Sequence, residues 1–555
     1  MTTVADAVGA ALAQAGVRTV FGLVGSGNFH VTNALTAGGA RFVAARHEGG
    51  AAVMADAYAR VTGELGVLSV HQGPGLTNAL TGITEAAKSR TPLLVLAPTA
   101  TNPRSNFYLD DAALAAAVGA TRVRVDSADT AAVDLARAYH TAIGERRTVL
   151  LSLPLDVQAA PSPHFELPAA PQPPPRDLDQ AAIAALADAL AAARRPVFLA
   201  GRGARKAGKE ITTLSERTGA LLATSAVSRG LFRDEAFSLD VSGGFATPAA
   251  ADLIRNADLL VGWGCALNMW TLRHGTLVGD DTTVVQVDLD PDALGAHQRI
   301  DLGIVGDTAA TARAVRDELD RRAGGSPSSG EPGEWPAGYR SADVADRLAR
   351  EGRWRDVPYK EESEEGRIDP RTLSIALDGM LPAGRTVAVD SGNFMGYPAM
   401  YLDVPDADGF VFTQAYQSIG LGLATAIGAA VARPDRLTVA ALGDGGALMA
   451  IADLETAVRY GLDLLVVVYD DEAYGAEVHH FGPGGHPLDH VRFPPADIAE
   501  IGRGFGCAAA TVRARSDLEA VAAWLAGPRD RPMVVDAKVT RDEPSWWLAE
   551  AFRGH

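Results

Sequence analysis

The sequence predicts an α/β protein made of three doubly wound parallel-sheet domains. Short apolar runs typical of buried strands alternate with helical segments along nearly the whole chain, and this alternation is typical of parallel sheets covered by helices. A length of 555 residues exceeds what one hydrophobic core supports. Two connectors rich in proline, glycine or serine, at 160–175 and 323–338, interrupt the pattern. We therefore predict domains at 1–158, 177–322 and 367–555.

Each domain is predicted from its strands in chain order. The strand candidates of the first domain are 19–24, 41–45, 66–70, 92–97 and 148–153. Those of the second are 196–200, 221–225, 259–261 and 284–288. The third is predicted to have strands at 386–390, 437–442 and 464–469, with a helix at 450–460. Ser-Gly-Asn-Phe occurs at 26–29 and again at 391–394, after the first long strand of each outer domain, which indicates that the outer domains share one architecture.

Composition excludes several classes of protein. A formal net charge of −18 argues against nucleic acid or an anionic membrane surface as the partner. The two cysteines are far apart and lack metal-ligand spacing, so we expect no disulfide framework and a reducing cytoplasm. The first 16 residues lack a basic segment and are predicted to form a helix, and no apolar run is long enough to span a bilayer.

Two acidic positions in the third domain lie where open α/β folds bind ligands. Asp444 follows one predicted strand, and Asp470 and Asp471 follow the next. Neighbouring parallel strands would bring Asp444 and Asp471 to the same sheet edge. Carboxylate oxygens suit Mg²⁺, which completes its octahedron with water and phosphate oxygens. The alternative is a chance glycine turn followed by a solvated acidic loop.

Glycines around Asp444 supply a second feature of this site. Gly443, Gly445 and Gly446 allow close backbone approach, and N–H groups at the following helix N-terminus can face a diphosphate. The stretch resembles the signature of thiamine diphosphate (ThDP) enzymes, in which Gly-Asp-Gly precedes an Asn pair by about 25 residues. Here 24 residues separate Gly445 from Asp470, and an Asp pair replaces the Asn pair.

The resemblance implies the roles of several residues toward ThDP and Mg²⁺. The metal ligands would be Asp444, Asp471 and the backbone oxygen of Ala473. Ile419 would lie beneath the cofactor and force its bent shape, although it is equally explained as a core residue. The other cofactor-binding residues would be Gly392, Asn393, Gly443, Gly445, Gly446 and Tyr474. Because Asp471 adds a negative charge where the family has Asn, Mg²⁺ retention is expected to be unusually sensitive to pH.

A segment of the first domain independently indicates the same cofactor. Arg46-His47-Glu48 and the following Ala-rich and Gly-rich helix resemble the pyrimidine-side run of ThDP-dependent decarboxylases and acetolactate synthases. In that family the glutamate binds N1′ of the aminopyrimidine ring, so that the 4′-imino group can remove the C2 proton. A carboxylate at a helix N-terminus is also favoured by the helix dipole alone. The resemblance implies that the three domains are pyrimidine-binding, central and diphosphate-binding.

Other polar residues are candidates for handling the substrate. His71 ends a predicted strand near Glu48 and could move protons near neutral pH. His71 and Ser26 resemble the substrate-handling pair of benzoylformate decarboxylases, although a loop histidine and a turn serine would explain them equally. Gln72, His479 and His480 are further candidates, and the Gly-rich and Pro-rich segment after His480 could form a lid.

The family's reaction leaves several alternatives open. We expect an acetolactate synthase-type enzyme, a transferase or lyase that cleaves or forms C–C bonds next to a carbonyl, acting on a 2-oxo acid and an aldehyde or ketone acceptor. A simple benzoylformate-like decarboxylase, a flavin-dependent oxidase and a non-catalytic subunit are the alternatives. The segment 262–268 lacks the arginine of FAD-binding relatives, so we expect no flavin in the central domain. Family members place active sites between subunits, which implies a homodimer or homotetramer.

Overall fold

The computed structural model describes residues 2–168, 177–324 and 338–548. Its β-strands form three six-stranded sheets in which every strand pairing is parallel. Helices connect successive strands and cover the sheets. The predicted fold class is therefore confirmed. The boundaries of the three domains remain predictions, because parts of both predicted connectors, at 169–175 and 325–337, lie outside the described residues.

The first sheet has the strand order β2-β1-β3-β4-β6-β5. Its strands are β1 (Thr19–Gly22), β2 (Arg41–Ala44), β3 (Gly66–Ser69), β4 (Leu93–Thr99), β5 (Thr121–Arg124) and β6 (Thr148–Pro154). Its helices are α1 (Val4–Gln14), α2 (Phe29–Ala37), α3 (Glu48–Thr62), α4 (Pro74–Asn78), α5 (Leu80–Lys88), α6 (Asp111–Ala117), α7 (Ala131–Gly144) and α8 (Leu155–Ala159).

The central sheet has a different order, β12-β11-β10-β7-β8-β9. Its strands are β7 (Pro196–Ala200), β8 (Leu221–Thr224), β9 (Ser238–Val241), β10 (Leu259–Trp263), β11 (Thr283–Asp288) and β12 (Leu302–Val305). The helices of this region are α9 (Gln180–Ala192), α10 (Gly208–Thr218), α11 (Pro248–Arg255), α12 (Met269–Leu272), α13 (Thr308–Arg322) and α14 (Ala342–Glu351). Leu348 of α14 packs into the central core, so this helix belongs with the central sheet in space.

The third sheet has the order β14-β13-β15-β16-β18-β17. Its strands are β13 (Arg385–Val389), β14 (Phe410–Phe412), β15 (Leu437–Gly443), β16 (Leu464–Asp470), β17 (Ala508–Val512) and β18 (Met533–Lys538). Its helices are α15 (Pro370–Met380), α16 (Gly396–Tyr401), α17 (Gly422–Ala432), α18 (Asp444–Met449), α19 (Asp453–Arg459), α20 (Gly475–Phe481), α21 (Ile498–Phe505) and α22 (Glu519–Ala526). The strand order matches that of the first sheet, as the repeated Ser-Gly-Asn-Phe motif indicates.

One predicted element of the third domain is wrong. The predicted turn at 443–449 is itself helical, since α18 begins at Asp444, and the predicted helix at 450–460 is reduced to α19. Gly445 and Gly446 lower the helix propensity of this segment, but Gly446 lies against the Asp390 carboxylate, where a Cβ atom would clash. Close packing therefore overrides propensity, and Asp444 becomes the first residue of a helix.

The first and third domains pack against each other through glycine-rich and alanine-rich helices. A Cβ atom on Gly428 of α17 would collide with the carbonyl oxygen of Met54 on α3. Residues of both helices belong to one hydrophobic core cluster. Burial of this shared apolar surface joins the two domains into one unit. Within the described residues, no helix has both the length and the apolar character required to cross a bilayer.

Candidate active site

Two buried carboxylates mark the edge of the third sheet. Strands β15 and β16 pair in parallel, with Gly443 opposite Tyr469, so Asp444 and Asp471 follow neighbouring strand ends. The Asp444 side chain is buried at the first position of α18. The structure thus brings together the two side chains that the sequence proposes as metal ligands.

The electrostatics of this pair favour a cation. Burial, followed by the neighbouring charges of Asp471 and Asp470, raises the pKa of Asp444 to about 8. The pKa of Asp471 is raised to about 7, chiefly by burial and then by the charge of Asp470. Two adjacent carboxyls that both resist ionisation accept a divalent cation readily, because the cation offsets their mutual repulsion.

The available ligands suit Mg²⁺ better than a metal ion whose ligands all come from protein side chains. Across 2–168, 177–324 and 338–548, no group of three His, Cys, Asp or Glu side chains converges on a metal position. Mg²⁺ usually takes one or two carboxylates and completes its shell with water and phosphate oxygens. The backbone of Ala473, two residues after Asp471, lies in the same loop and bridges to Arg492.

The adjacent residues Asp470 and Asp471, which stand where the family has an Asn pair, have different surroundings. Asp470 is buried and forms an ion pair with Lys538 of the adjacent strand β18. The Lys538 ammonium group also lies 3.1 Å from Asp536. Asp470 therefore has its own cation, whereas the coulombic neighbours of Asp471 are acidic. Of these two adjacent residues, Asp471 is therefore the one proposed to bind a metal.

The next residue of the loop is held by arginines. Glu472 has a left-handed backbone, with φ +59°, which costs energy for a residue other than glycine. Its carboxylate lies 2.7 Å from Arg367 and 2.8 Å from Arg541. These ion pairs hold the loop between Asp471 and Ala473 in its bend.

Glycines let the polar groups of the site approach one another. Gly475 lies between the carboxylate of Asp471 and the side chain of Asn393, where a Cβ atom would meet both. Gly445 lies 2.5 Å, measured from an ideal Cβ position, from the ring of Tyr474. Gly392 has φ +144°, a conformation that favours glycine. The structure therefore places these predicted cofactor-binding residues around one turn.

Ile419 lies in a loop before α17 that approaches the same turn. The buried carboxylate of Asp390 accepts hydrogen bonds from the backbone N–H groups of Gly420 at 3.0 Å and Leu421 at 3.3 Å. Burial raises the pKa of Asp390 to about 6, although backbone N–H donors act in the opposite direction. Gly443 lies against the ring of Phe394 in the same region. Ile419 is half-buried beside this cluster.

In the first domain, Glu48 opens helix α3. The His47 side chain caps the helix by accepting from the N–H of Gly49 at 3.0 Å. Asn78 donates its side-chain N–H to Glu48 Oε2 at 3.0 Å. An ideal Cβ on Gly75 would lie 3.4 Å from Glu48 Oε1. The carboxylate is half-buried and keeps a surface available for a ligand.

The histidine and serine candidates lie on adjoining turns. The backbone N–H of Gly27, next to Ser26, donates to His71 Nδ1 at 3.3 Å. The His71 ring also makes an edge contact with Phe107, with centroids 5.5 Å apart. The buried side-chain oxygen of Gln72 has no hydrogen-bond partner within the described chain and lies against Gly27. Sequence reasoning thus selects residues that the structure places close together.

The remaining candidates lie on α20, beyond the metal loop. His479 and His480 are both half-buried. Burial lowers the pKa of His479, and the charges of Glu543 and Asp542 oppose this effect. Phe481 packs on its neighbour His480, with ring centroids 4.7 Å apart. Both histidines lie on the helix that follows Tyr474, five and six residues after it.

No contact joins Glu48 to Asp444 among the described residues of one chain. Among the contacts of the described residues, Glu48 bonds within its own domain, and Asp444 interacts with Asp471 and Asp470. The domains instead meet where the Arg46 N–H donates to Asp453 at 3.0 Å. Exposed apolar side chains flank both halves of the site: Val24, Phe29, Leu448 and Met449.

In the central domain, close packing explains the glycines Gly201 and Gly203 of the turn after β7. A Cβ atom on Gly201 would collide with the carbonyl of Gly264, and Gly264 lies equally close to Gly203. The N–H of Gly203 donates to the Gly264 carbonyl at 3.0 Å. These glycines let two strand-to-helix turns touch.

Comparison with known proteins gives matches over all three sheets. The model of the thiamine pyrophosphate enzyme N-terminal TPP binding domain matches 2–118, that of the central domain 183–315, and that of the C-terminal TPP binding domain 390–537. A protein of Pseudomonas aeruginosa named probable 2-ketoarginine decarboxylase is 32% identical over 92% of this chain and 88% of its own. A catabolic acetolactate synthase of Raoultella terrigena is 29% identical over 93% and 91%. An acetolactate synthase large subunit of Parasynechococcus marenigrum is 28% identical over 96% and 87%.

Proposed function

Because the chain belongs to the family of thiamine diphosphate-dependent decarboxylases and carboligases, we propose that it is an Mg²⁺-dependent enzyme of acetolactate synthase type. It would decarboxylate a 2-oxo acid and join the remaining fragment to an aldehyde or ketone. The single observation that carries the proposal is the buried pair Asp444 and Asp471, whose pKa values are raised by burial and by neighbouring carboxylate charge.

The residues of the site fit the cofactor. Asp444, Asp471 and the carbonyl of Ala473 would hold Mg²⁺, and the N–H groups that open α18 would face the diphosphate. ThDP, when bound, supplies a sink for the electron pair released with CO₂. The chain's own contribution is to bind and orient the cofactor and to move its protons. The glycines at 392, 443, 445 and 446 leave room for the diphosphate.

Glu48 is the proposed partner of the aminopyrimidine ring. Its carboxyl would share a proton with ring N1′, and the hydrogen bond from Asn78 to Oε2 would orient it. Gly75 lies next to Glu48 Oε1, and because glycine has no side chain, this side of the carboxyl group stays free. A half-buried position strengthens such a hydrogen bond relative to water.

A simple 2-oxo acid decarboxylase is the second candidate, and His71 favours it. His71 contacts the Ser26 turn through the Gly27 N–H. A histidine in this position can deliver a proton to the product carbon, which would end the reaction at an aldehyde. The relative named probable 2-ketoarginine decarboxylase supports the same outcome. The substrate is proposed only as a 2-oxo acid.

A dimer is proposed as the smallest active unit, with Glu48 of one copy facing Asp444 of the other. The exposed apolar residues Leu448 and Met449 directly follow the glycines of the site, which supports a covering partner there. Two such dimers could form a tetramer. Both cysteines are free and buried, which supports a reducing cytoplasm.

The presence of both Glu48 and Asp444 argues against a non-catalytic subunit. For the central domain we propose a structural role without FAD, because its glycines pack against each other. A flavin-dependent oxidase would require flavin in the purified protein. An absorbance spectrum with a band at about 450 nm would reveal it.

The test is CO₂ release from pyruvate, benzoylformate and 5-guanidino-2-oxopentanoate, with ThDP and Mg²⁺ added and products identified by mass spectrometry. Acyloin or acetohydroxy acid products would support the carboligase. Aldehyde alone would identify the decarboxylase and overturn the carboligase proposal. No ThDP-dependent turnover of any 2-oxo acid, with bound ThDP verified, would contradict both.

A further inference from the structure

The loop that carries Ile419 is held at both ends by buried carboxylates, one from each outer domain. We define the 415–421 loop by its bonded ends, Ala415 and Leu421. At its far end, Asp390 of the third domain accepts from the N–H groups of Gly420 and Leu421. At its near end, Glu85 of the first domain accepts from the N–H of Ala415 at 3.0 Å and of Tyr416 at 2.7 Å.

Besides the bonds to Glu85, the near end of this loop has one contact in which the Lys88 ammonium group lies over the Tyr416 ring, 5.6 Å from its centroid. Ala415, Tyr416 and Gln417 are exposed. Gln417 has φ +58°, a left-handed backbone that a side chain disfavours. A strained, exposed segment keeps one conformation only when its surroundings fix it. The two N–H bonds to Glu85 therefore fix the path of the chain three residues before Ile419.

Glu85 is itself held rigidly. Its side chain is fully buried on α5, and Arg60, only 7% exposed, donates to Glu85 Oε1 at 2.8 Å. Arg60 also binds Asp56 at 3.0 Å and the Phe412 carbonyl, at the end of β14, at 3.1 Å. The first domain thus holds both the last residue of β14 and the start of the 415–421 loop. A buried charge with this many partners adopts one position.

The central domain contacts the same group. Arg205 donates to the Arg60 carbonyl at 2.9 Å, and Arg202 donates to the Ser89 carbonyl at the end of α5. Ser89 in turn accepts from Arg60 at 2.7 Å. All three domains therefore meet at Arg60, next to the carboxylate that binds the loop.

We propose that Glu85 is a positioning residue that sets, from the first domain, the place of Ile419 and so the bound geometry of the cofactor. It touches neither substrate nor cofactor and acts only through the backbone of Ala415 and Tyr416. The inference rests on the proposed function, because it assumes that Ile419 lies under ThDP. It differs from that function in naming a residue of the opposite domain as part of the cofactor's support.

The test compares Glu85→Asp and Glu85→Gln with the wild type in the full-length protein. Asp keeps the charge beside Arg60 but withdraws it from the loop, and Gln keeps the length but removes the charge. Loss of hydrogen bonds to a charged acceptor is expected to raise the ThDP dissociation constant about tenfold to a hundredfold. ThDP binding is measured by calorimetric titration at saturating Mg²⁺. Circular dichroism of the bound cofactor reports its geometry and is expected to change in both variants.

The chain offers a matched control in Asp378→Asn. Asp378 is also a buried carboxylate that pairs with a buried arginine, Arg385, and accepts a backbone N–H, that of Asp403, at 2.7 Å. It contacts no part of the 415–421 loop among the bonds described. Asp378→Asn is expected to lower the melting temperature and leave the ThDP dissociation constant within about twofold of the wild type.

The outcomes separate this inference from the proposed function. If the wild type does not bind ThDP, the proposed function itself fails. If the wild type binds ThDP and both Glu85 variants bind it with unchanged affinity and dichroism, only the role of Glu85 is overturned. Should Glu85→Gln fail to fold, Glu85→Asp, which keeps the ion pair, decides the question by the same two readouts. A weakened affinity in the Asp378→Asn control as large as in Glu85→Asp would also overturn the role.

Discussion

The first and third domains have the same strand order but different groups at the ends of corresponding strands. The orders β2-β1-β3-β4-β6-β5 and β14-β13-β15-β16-β18-β17 place β3 and β15 in equivalent positions. His71 and Gln72 follow β3, whereas Asp444 follows β15. Glu48 follows β2, and the loop with Ile419 follows β14. One scaffold therefore presents the groups proposed to handle protons in one domain and the groups proposed to bind the cation in the other.

The two domains share one architecture, but the carboxylates at their proposed cofactor sites have different surroundings. In the third domain the carboxylates are crowded and their pKa values rise, so the site favours a cation. In the first domain the Glu48 carboxylate is half-buried and has a neutral donor, Asn78. We therefore propose that the third domain binds the cofactor and that the first domain activates it.

Glu48→Gln should have the largest effect on turnover and little effect on binding. Gln keeps the shape of Glu48 but cannot exchange the proton with the pyrimidine ring. Removing a general acid–base group is expected to lower kcat about 10²-fold to 10⁴-fold. Steady-state CO₂ release and calorimetric titration of ThDP measure the two effects. Glu145→Gln, at an exposed position 61% accessible, is the control, and substantial activity in Glu48→Gln would remove its assigned role.

Asp444→Ala should show the opposite pattern, with loss of binding. Removing one member of a buried charged site is expected to cost about 3–5 kcal/mol, which is roughly a hundredfold to several thousandfold in ThDP affinity. The measurement is ThDP titration with and without Mg²⁺. Asp435→Ala, on the surface of the same domain, is the matched control. Retained Mg²⁺-dependent binding by Asp444→Ala would place the metal elsewhere.

His71→Ala should sharpen the comparison by changing product choice. His71 follows β3, the strand equivalent to the one before Asp444, but it is not proposed to bind the metal. Loss of a proton donor is expected to reduce the aldehyde product about tenfold or more relative to coupled products, with unchanged ThDP affinity. Mass spectrometry of the products gives the ratio, and His30→Ala on α2 is the control. A parallel loss of ThDP affinity would break the division between the domains.

Asp471→Asn is expected to have the smallest effect, seen mainly as a change in pH dependence. The pKa values of about 8 and about 7 mean that protons compete with Mg²⁺ as the pH falls, so wild-type ThDP affinity should weaken by more than about tenfold from pH 8 to pH 6. Removing the charge of Asp471 lowers the pKa of Asp444, and the dependence should fall to roughly threefold. ThDP titrations at the two pH values measure this. Equal pH dependence in both proteins would contradict the coupling.

The same pKa shifts predict the stability of the cofactor-free protein. A carboxyl whose folded pKa lies above its unfolded value stabilises the folded state below the unfolded pKa, and this contribution is lost as the pH rises through the folded pKa. For Asp444 the window runs from 3.8 to about 8. Without Mg²⁺, Asp471→Asn should therefore raise the melting temperature more at pH 8 than at pH 5.

Much of the fold was accessible to sequence reasoning because buried parallel strands are continuous apolar runs. The strand at 196–200 is predicted with its observed bounds. Strand β18 is missed because it contains Asp536 and Lys538, which are charged but buried together with Asp470. Strand β14 is missed because it has only three residues. Polar residues that neutralise one another inside a sheet resemble surface residues in a sequence.

The site shows the same limit. Asp444 and Asp471 each directly follow a strand and Glu48 lies shortly after one, so chain order alone predicts that all three lie at the ligand edge. Glu85 is missed because its partner Tyr416 lies 331 residues away in the chain. The available signal is that Glu85 is the one charged residue of the run Ile83–Ala87 of α5, which has three apolar residues and a threonine besides. Sequence order does not reveal which distant backbone such a residue reaches.

The most direct test of the division between the domains is to mix two inactive proteins. Glu48→Gln and Asp444→Ala chains, co-expressed with different tags and purified as mixed dimers, each supply what the other lacks. If Glu48 of one copy serves Asp444 of the other, one of the two sites in each mixed dimer keeps both residues, so purified mixed dimers should have about half of wild-type turnover. No restored turnover in verified mixed dimers would contradict a site shared between the first domain of one chain and the third domain of its partner.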